Sequence, residues 1–309
     1  MTVKHSIAIV GLGKIARDQH VPSIAGSDSF ELVAVASPHN RHETLPSYPD
    51  LGSLLEATKN LSAVALCTTP QARFETASLA LSHGCHVLLE KPPGMTVSEV
   101  QILIGLARSR GLALHASWHS RHANGVEPAR IWLATRKVRK VSVVWKEDVR
   151  VWHPGQTWIW QAGGLGVFDP GINALSILTR ILHEPLILKD AELAVPENCE
   201  TPIAALLQLI STGGASVHTD FNFLHTGTAS WDIEVETDRG HLTLRHGGSE
   251  MQVDGQPVTL AQGTEYGRLY AHFAGIVRER RVEVDLAPFD LAADAFMCGR
   301  RTSAPPFTP

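Results

Sequence analysis

Ser6-Ile-Ala-Ile-Val10 runs without a break into Gly11-Leu-Gly-Lys-Ile-Ala16, and this junction decides the fold. Five residues, four of them apolar, read as a strand buried on both faces, and the segment after Ala16 is compatible with a helix. The pattern is G-x-G-x-x-A between strand and helix. Gly11 permits the tight turn, Gly13 lets a pyrophosphate approach the backbone, and Ala16 lets helix and strand pack closely. Lys14 and Ile15 fill the turn between them. Phosphates on the amino end of a helix meet unpaired N–H groups and the positive end of its dipole. Placed after the first strand of the chain, the motif marks a dinucleotide site.

Working outward, Phe30 to Ala36 forms a second strand ending in Ser37-Pro-His39-Asn40-Arg41. An acidic residue here would bind a ribose 2′-hydroxyl and repel a 2′-phosphate. Ser37 is neutral, and His39, Asn40 and Arg41 follow, so NADP is expected as the preferred cofactor, with NAD also used. The strand Ala63–Cys67 opens into Thr68-Thr69-Pro70, a loop suited to lie along the cofactor, and a helix is expected over 74–83. Then comes His86-Val-Leu-Leu-Glu90-Lys91-Pro-Pro-Gly94. Proline ends a strand and holds its predecessor extended, which leaves Lys91 at a strand's carboxyl end, where open α/β sheets bind ligands. Thr96-Val-Ser-Glu99 is a capping box for a helix reaching about Arg110, and Leu112 to Ser117 is a further strand. Strands alternating with helices imply a doubly wound parallel Rossmann sheet over residues 1–120.

From about Val138 the pattern changes to alternation. Val141, Val143, Trp145, Glu147, Val149 and Val151 share one side of an expected strand, which sets Glu147 on an apolar face. A carboxylate there is costly unless partnered; a ligand contact and a structural ion pair explain it equally well. Trp152-His153, Trp158 and Trp160 follow. Later runs over 203–210, 215–223 and 231–236, and strand-like segments through Leu244 and Met251, are separated by Gly-rich turns. They imply an α+β domain over 121–309 with a large, mainly antiparallel open sheet. Trp231 is a candidate pocket wall, and core packing is its ordinary alternative. Helices are expected over 265–281 and 288–300, with packing back onto the first domain open to them. Gly163-Gly-Leu-Gly-Val-Phe-Asp169-Pro-Gly-Ile-Asn173 reads as a helix start. Asp169 is the expected N-cap, Pro170 the first helical residue, and Asn173 lies one turn on.

The 309 residues are 44% apolar and 19% charged, with a net charge of −4, which gives no electrostatic case for nucleic acid or an anionic membrane. Cys67, Cys85, Cys199 and Cys298 show no zinc-ligand spacing, so no metal is expected and reduced thiols in a cytoplasmic protein are the simplest account. No run is long and apolar enough for a membrane span or a signal segment.

Taken together, Gly11-Leu-Gly-Lys-Ile-Ala16, Glu90-Lys-Pro92 and the Gly163…Asp169…Asn173 segment resemble the glucose–fructose oxidoreductase / inositol dehydrogenase (Gfo/Idh/MocA) family over essentially the whole chain. The resemblance implies a Rossmann domain followed by a domain whose open sheet faces the nicotinamide, with the lysine of Glu-Lys-Pro in the site. The family usually has His four residues after the Asp; this chain has Asn173, which cannot act as a base. Trp158-Ile-Trp160 and Val167-Phe-Asp-Pro-Gly-Ile-Asn-Ala-Leu175 resemble the bacterial aldose 1-dehydrogenases. That implies oxidation of the anomeric carbon of L-arabinose, with D-galactose a close alternative, to the aldonolactone. The expected catalytic residues are Asp169, Lys91 and Asn173. Lys91, His119, Glu147, Trp152, His153, Asp169, Asn173 and Trp231 are expected around the sugar. Gly11, Gly13, Lys14, Ile15, Ser37, His39, Asn40, Thr68, Thr69, Pro70, Glu90 and Lys91 are expected around the cofactor. Whether Asp169 or Lys91 takes the proton stays open, as do another polyol or sugar-derivative substrate, a non-catalytic NADP-binding sensor, and a homo-oligomer built through the second sheet.

Overall fold

The computed structural model describes residues 4–308. The chain forms two compact units, one running through Trp118 and joined by Thr264–Asp285, the other comprising His119–Gly263 and the chain from Leu286 on.

The first unit is built on a seven-stranded sheet in the order Val282–Glu283, Leu114–Ser117, His86–Glu90, Ala63–Leu66, His5–Val10, Phe30–Ala36, Ser47–Tyr48. Every pairing is parallel. The central strands are apolar on both faces because both faces are covered. Ala8, Val10, Val64, Leu66, Val87 and Leu89 meet Leu54, Ala80, Leu81, Leu103 and Ala107 from the helices Leu51–Ala57, Pro70–Ser82 and Val97–Arg110. Ile7, Ile9, Val35, Ala65 and Leu88 face Tyr270, Phe273, Ile276 and Val277. The latter belong to the helix Glu265–Glu279, so part of the cover on this face comes from the far end of the chain. Strand order reverses at His5–Val10, and ligands bind beyond the carboxyl ends of strands at such a point.

Of three local readings, two need adjustment here. The helix after the third central strand starts at Pro70, with Thr69 as N-cap, rather than near Phe74, because Pro is suited to a first helical position. The capping box at Thr96 and Glu99 forms with both of its hydrogen bonds. Of the two last helices, Glu265–Glu279 packs on the parallel sheet, whereas Ala287–Cys298 belongs to the second unit.

The second unit holds a nine-stranded sheet ordered Gln256–Pro257, Glu250–Val253, His241–Arg245, Ser230–Thr237, Val138–Lys146, Ser216–Asn222, Ala204–Ser211, Leu186–Pro196, Arg300–Ala304. It is antiparallel except where Val138–Lys146 meets Ser216–Asn222 and Leu186–Pro196 meets Arg300–Ala304. The helix Phe168–Ile181 lies on one face, close enough at Gly171 that a Cβ would come within 2.8 Å of the Phe221 ring. The strand expected to run through Val151 ends at Lys146. Asp148 accepts from the Arg150 N–H and caps a short helix, Val149–Trp152, so the alternation continues into a different element. The strands Leu186–Pro196 and Arg300–Ala304 are not among the expected ones; the second starts where the helix expected over 288–300 ends. No helix among the described residues is long and apolar enough to cross a membrane.

Candidate active site

Each unit contributes a group of functional side chains. In the first, Gly11 has φ +91°, and a Cβ there would sit 2.8–2.9 Å from the backbone of Cys67 and Thr68, so only glycine fits the turn. At Gly13 a Cβ would meet nothing within 4 Å, which leaves space above the helix start. Lys14 and Ile15 are exposed beside that space, with Lys14 paired to Asp18. Thr68 Oγ1 is buried with no hydrogen-bond partner, a hydroxyl at a strand's carboxyl end that suits a polar ligand. Ser37 is buried at the end of its strand, with its carbonyl accepting from Arg41; His39 is exposed and Asn40 half-buried beside it. These features fit a dinucleotide: Gly11 and Gly13 at the phosphates, Thr68, Thr69 and Pro70 along the nicotinamide side, and Ser37, His39 and Asn40 at the adenosine ribose.

Glu90 has a different environment from the one its neighbour Lys91 suggested. It is only 3% exposed. Its Oε1 accepts from Tyr266 Oη at 2.6 Å and lies 3.1 Å from His20 Nε2, while Oε2 accepts from the Lys91 backbone N–H at 2.7 Å. Both oxygens are engaged inside the protein, so the expected cofactor contact becomes a support for Lys91 from below. His20 Nδ1 lies 2.7 Å from Tyr270 Oη. Burial, the largest influence on His20, would push its pKa down; Cys67, Tyr270 and Glu90 outweigh it and raise it well above the usual value. Burial and the Glu90 carboxylate hold the Tyr266 hydroxyl well above its usual range, and burial first of all pushes Tyr270 up to about 12. Arg73 is 2% exposed and donates to the carbonyls of Thr68, Glu90 and Pro92, fastening the two loops that carry Thr68 and Lys91. Sequence reasoning missed Arg73, although it stands at core spacing with Ala77, Ala80 and Leu81 on its helix, an odd place for an unpartnered arginine.

In the second unit a connected series of polar side chains forms. Trp231 Nε1 donates to Glu147 Oε2 at 2.8 Å, Glu147 Oε1 lies 3.1 Å from His153 Nε2, and His153 Nδ1 lies 3.5 Å from Asp169 Oδ2. The two carboxylate side chains are 4% exposed and the imidazole 17%. Glu147 is fixed by its backbone: its N–H donates to the Asn222 carbonyl and its carbonyl accepts from His225. His153 directly follows the short helix, with its ring against Phe223. Asp169 is not the N-cap: Val167 takes that place, and Asp169 lies inside the first turn of Phe168–Ile181. The Gly166 φ of +54° turns the chain so that the helix starts two residues earlier than the Asp-Pro pair suggests. One turn on, Asn173 Oδ1 is buried without a hydrogen-bond partner. Trp152 is 45% exposed with its ring 4.8 Å from that of Trp231. His119 lies in the turn His119–His122 with its ring beside Ser120. The structure thus gathers Glu147, His153, Asp169, Trp152 and Trp231 into one neighbourhood, with Asn173 on the Asp169 helix.

Residues 5–117 match the model of an oxidoreductase family with an NAD-binding Rossmann fold (GFO_IDH_MocA). Galactose 1-dehydrogenase of Pseudomonas fluorescens is 42% identical over 97% of this chain and 98% of its own length. A crystal structure described as D-galactose-1-dehydrogenase protein from Rhizobium etli superposes with a TM-score of 0.94 at 49% identity, covering 100% of this chain and 99% of that one. A 3-ketoreductase from Actinomadura kijaniata, solved with NADP, shares the fold at 18% identity, with a TM-score of 0.85 over 98% of this chain and 100% of its own. The chain belongs to the Gfo/Idh/MocA family of oxidoreductases.

Proposed function

We propose that this protein is an NADP-preferring aldose 1-dehydrogenase that oxidises the ring form of D-galactose and L-arabinose at C1, releasing the aldonolactone. The two sugars share configuration at C2, C3 and C4 and differ by one exocyclic hydroxymethyl. The similarity to galactose 1-dehydrogenases over nearly the full chain supports D-galactose; L-arabinose is the shorter member of the same pair. The observation that carries the reading is the series Asp169–His153–Glu147–Trp231, beside the unpartnered Oδ1 of Asn173. Carboxylates so deeply buried are costly unless they serve a partner.

A nicotinamide cofactor held by the first unit would supply the acceptor for the hydride leaving C1. This chain's residues handle the proton and the alignment. Asp169 takes the proton of the C1 hydroxyl. His153 stands behind it: Nδ1 receives that proton from Asp169 as the ring's Nε2 proton passes to Glu147. Trp231 holds Glu147 in place for this transfer. Asn173 is neutral and accepts from a sugar hydroxyl through Oδ1, and Lys91 stabilises negative charge developing on the C1 oxygen. Ser37, with no carboxylate at 37–42, supports NADP.

Initial rates with D-galactose, L-arabinose, D-glucose and inositol, each with NADP⁺ and NAD⁺, test this through absorbance of the reduced nicotinamide. Galactose and arabinose should exceed glucose in kcat/KM; turnover of inositol and of no aldose overturns the assignment. Ser37→Asp should raise KM for NADP⁺ about a hundredfold relative to NAD⁺, because like charges brought together cost several kcal/mol. An unchanged ratio would move the cofactor preference to other residues.

A further inference from the structure

On the parallel sheet of the first unit, at side chains given no role above, three metal-ligating groups converge. His115 lies on the strand Leu114–Ser117, Glu283 is its register partner on the edge strand Val282–Glu283, and His272 projects from the helix Glu265–Glu279. One ligand atom from each lies within 4.8 Å of the other two. His272 Nε2 is 2.6 Å from Glu283 Oε1, and His115 Nδ1 is 3.9 Å from that same oxygen. These separations bracket the roughly 3.3 Å between neighbouring ligands that zinc bonds of about 2.0–2.2 Å require in a tetrahedron.

We propose that His115, His272 and Glu283 form a binding site for a divalent transition ion of the zinc class. Two imidazoles and one carboxylate are the donor set such ions favour over magnesium or calcium, which prefer all-oxygen surroundings. The Glu283 carbonyl, 2.8 Å from His115 Nδ1, is a fourth donor when the ion replaces the proton on that nitrogen. Arg281 Nη1 holds Glu283 Oε2 at 3.0 Å, orienting the carboxylate so that Oε1 faces the imidazoles. The His115 side chain is 8% exposed, whereas those of His272 and Glu283 are 38% and 35% exposed, so an ion can enter from solvent. Sequence spacing does not announce the site, because its ligands come from positions 115, 272 and 283. Its effect is structural: one ion would pin both the edge strand and the returning helix to the sheet.

The test uses the full chain, stripped with a chelator and dialysed, then titrated calorimetrically with ZnCl₂ and spectroscopically with CoCl₂. One ion per chain should bind with a micromolar dissociation constant, and Co²⁺ should give the visible absorption of a four-coordinate site. At about a hundredfold excess over the dissociation constant, the melting temperature should rise by several degrees. His272→Ala, at a half-exposed position, should weaken binding at least about tenfold and abolish the thermal shift. Glu283→Gln serves the same purpose if His272→Ala fails to fold. Wild-type binding no tighter than millimolar overturns the site, as does unchanged one-ion binding in a folded variant.

Discussion

Glu90 and Glu147 are both buried carboxylates bonded to an imidazole and to an aromatic side chain, yet their surroundings differ in one respect. Around Glu90 everything is closed: His20 and Tyr266 meet it, Tyr270 closes the far side of His20, and these partners are at most 3% exposed. Around Glu147 the series has an outlet, since His153 is 17% exposed and leads on to Asp169. The same chemistry closes on itself in one unit and, under the proposed mechanism, serves as working machinery in the other. What separates them is access, rather than residue type. Variants at the two sites should consequently damage different properties.

The largest effect is expected at the open end. Asp169→Ala should lower kcat by about 10²–10⁴-fold, the usual contribution of a positioned acid–base group, with cofactor affinity nearly unchanged. Near-normal kcat in Asp169→Ala together with collapse in Lys91→Met would transfer the base role to Lys91. Next, Glu147→Gln keeps an acceptor for Trp231 and removes the proton acceptor behind His153. A charge-assisted hydrogen bond of about 1.5–3 kcal/mol is lost, so kcat should fall about ten- to hundredfold. A rise in sugar KM at full kcat would make Glu147 a substrate ligand and break the likeness drawn with Glu90. At the closed site the order reverses. Tyr266→Phe should cost the fold about 1–3 kcal/mol, visible as a lower melting temperature, and leave kcat within about threefold of wild type. Lost turnover at unchanged stability would show that the Glu90 network is not purely structural.

The smallest effect concerns pH. His20, at the end of the helical segment Ala16–His20, and His86, at the start of the strand His86–Glu90, titrate in opposite senses. His20 is raised, so its stabilisation is complete below the unfolded value of about 6.5 and fades as pH rises through the folded one. His86 is lowered to about 4 by burial first, then by Arg280 and His5, and its Nδ1 accepts from the Ala113 N–H. The unfolded chain binds that proton near pH 6.5 and the folded chain does not, so stability falls as pH drops from about 6.5 to 4. His86→Gln keeps an acceptor but cannot titrate. It should flatten the acid limb of the melting-temperature profile and spare the alkaline limb; an unaltered acid limb would remove His86 from the account.

The parallel sheet was legible because a strand covered on both sides is a continuous apolar run, and because Gly11 and Gly13 mark its turn. Strands of the second sheet were legible where alternation met glycine turns, as at 215–223. Leu186–Pro196 was missed since Lys189, Asp190 and Glu192 interrupt its pattern. Glu147 was recognised as a costly burial, but its partners come from 6 and 84 positions away, and sequence spacing does not encode such contacts. Reading Asp169 as a cap followed from Asp-Pro alone; the turn at Gly166 moved the helix start. Arg73, Tyr266 and Tyr270 stayed hidden because their partners, Thr68, Glu90 and Pro92 for Arg73, Glu90 for Tyr266 and His20 for Tyr270, lie outside their own elements.

The segment Thr264–Asp285 has a consequence for the birth of the protein. Ile7, Ile9, Val35 and Leu88 lack a large part of their cover until Tyr270, Phe273 and Ile276 exist. On the ribosome, at about 5–20 residues per second, the nucleotide-binding sheet waits roughly 10–30 s for that cover while the intervening chain is made. Through that interval its partly bare face is a target for chaperones. A gene cut after Trp118 should therefore yield an insoluble fragment, and a faithful excision of this unit must splice residues 264–285 back onto it.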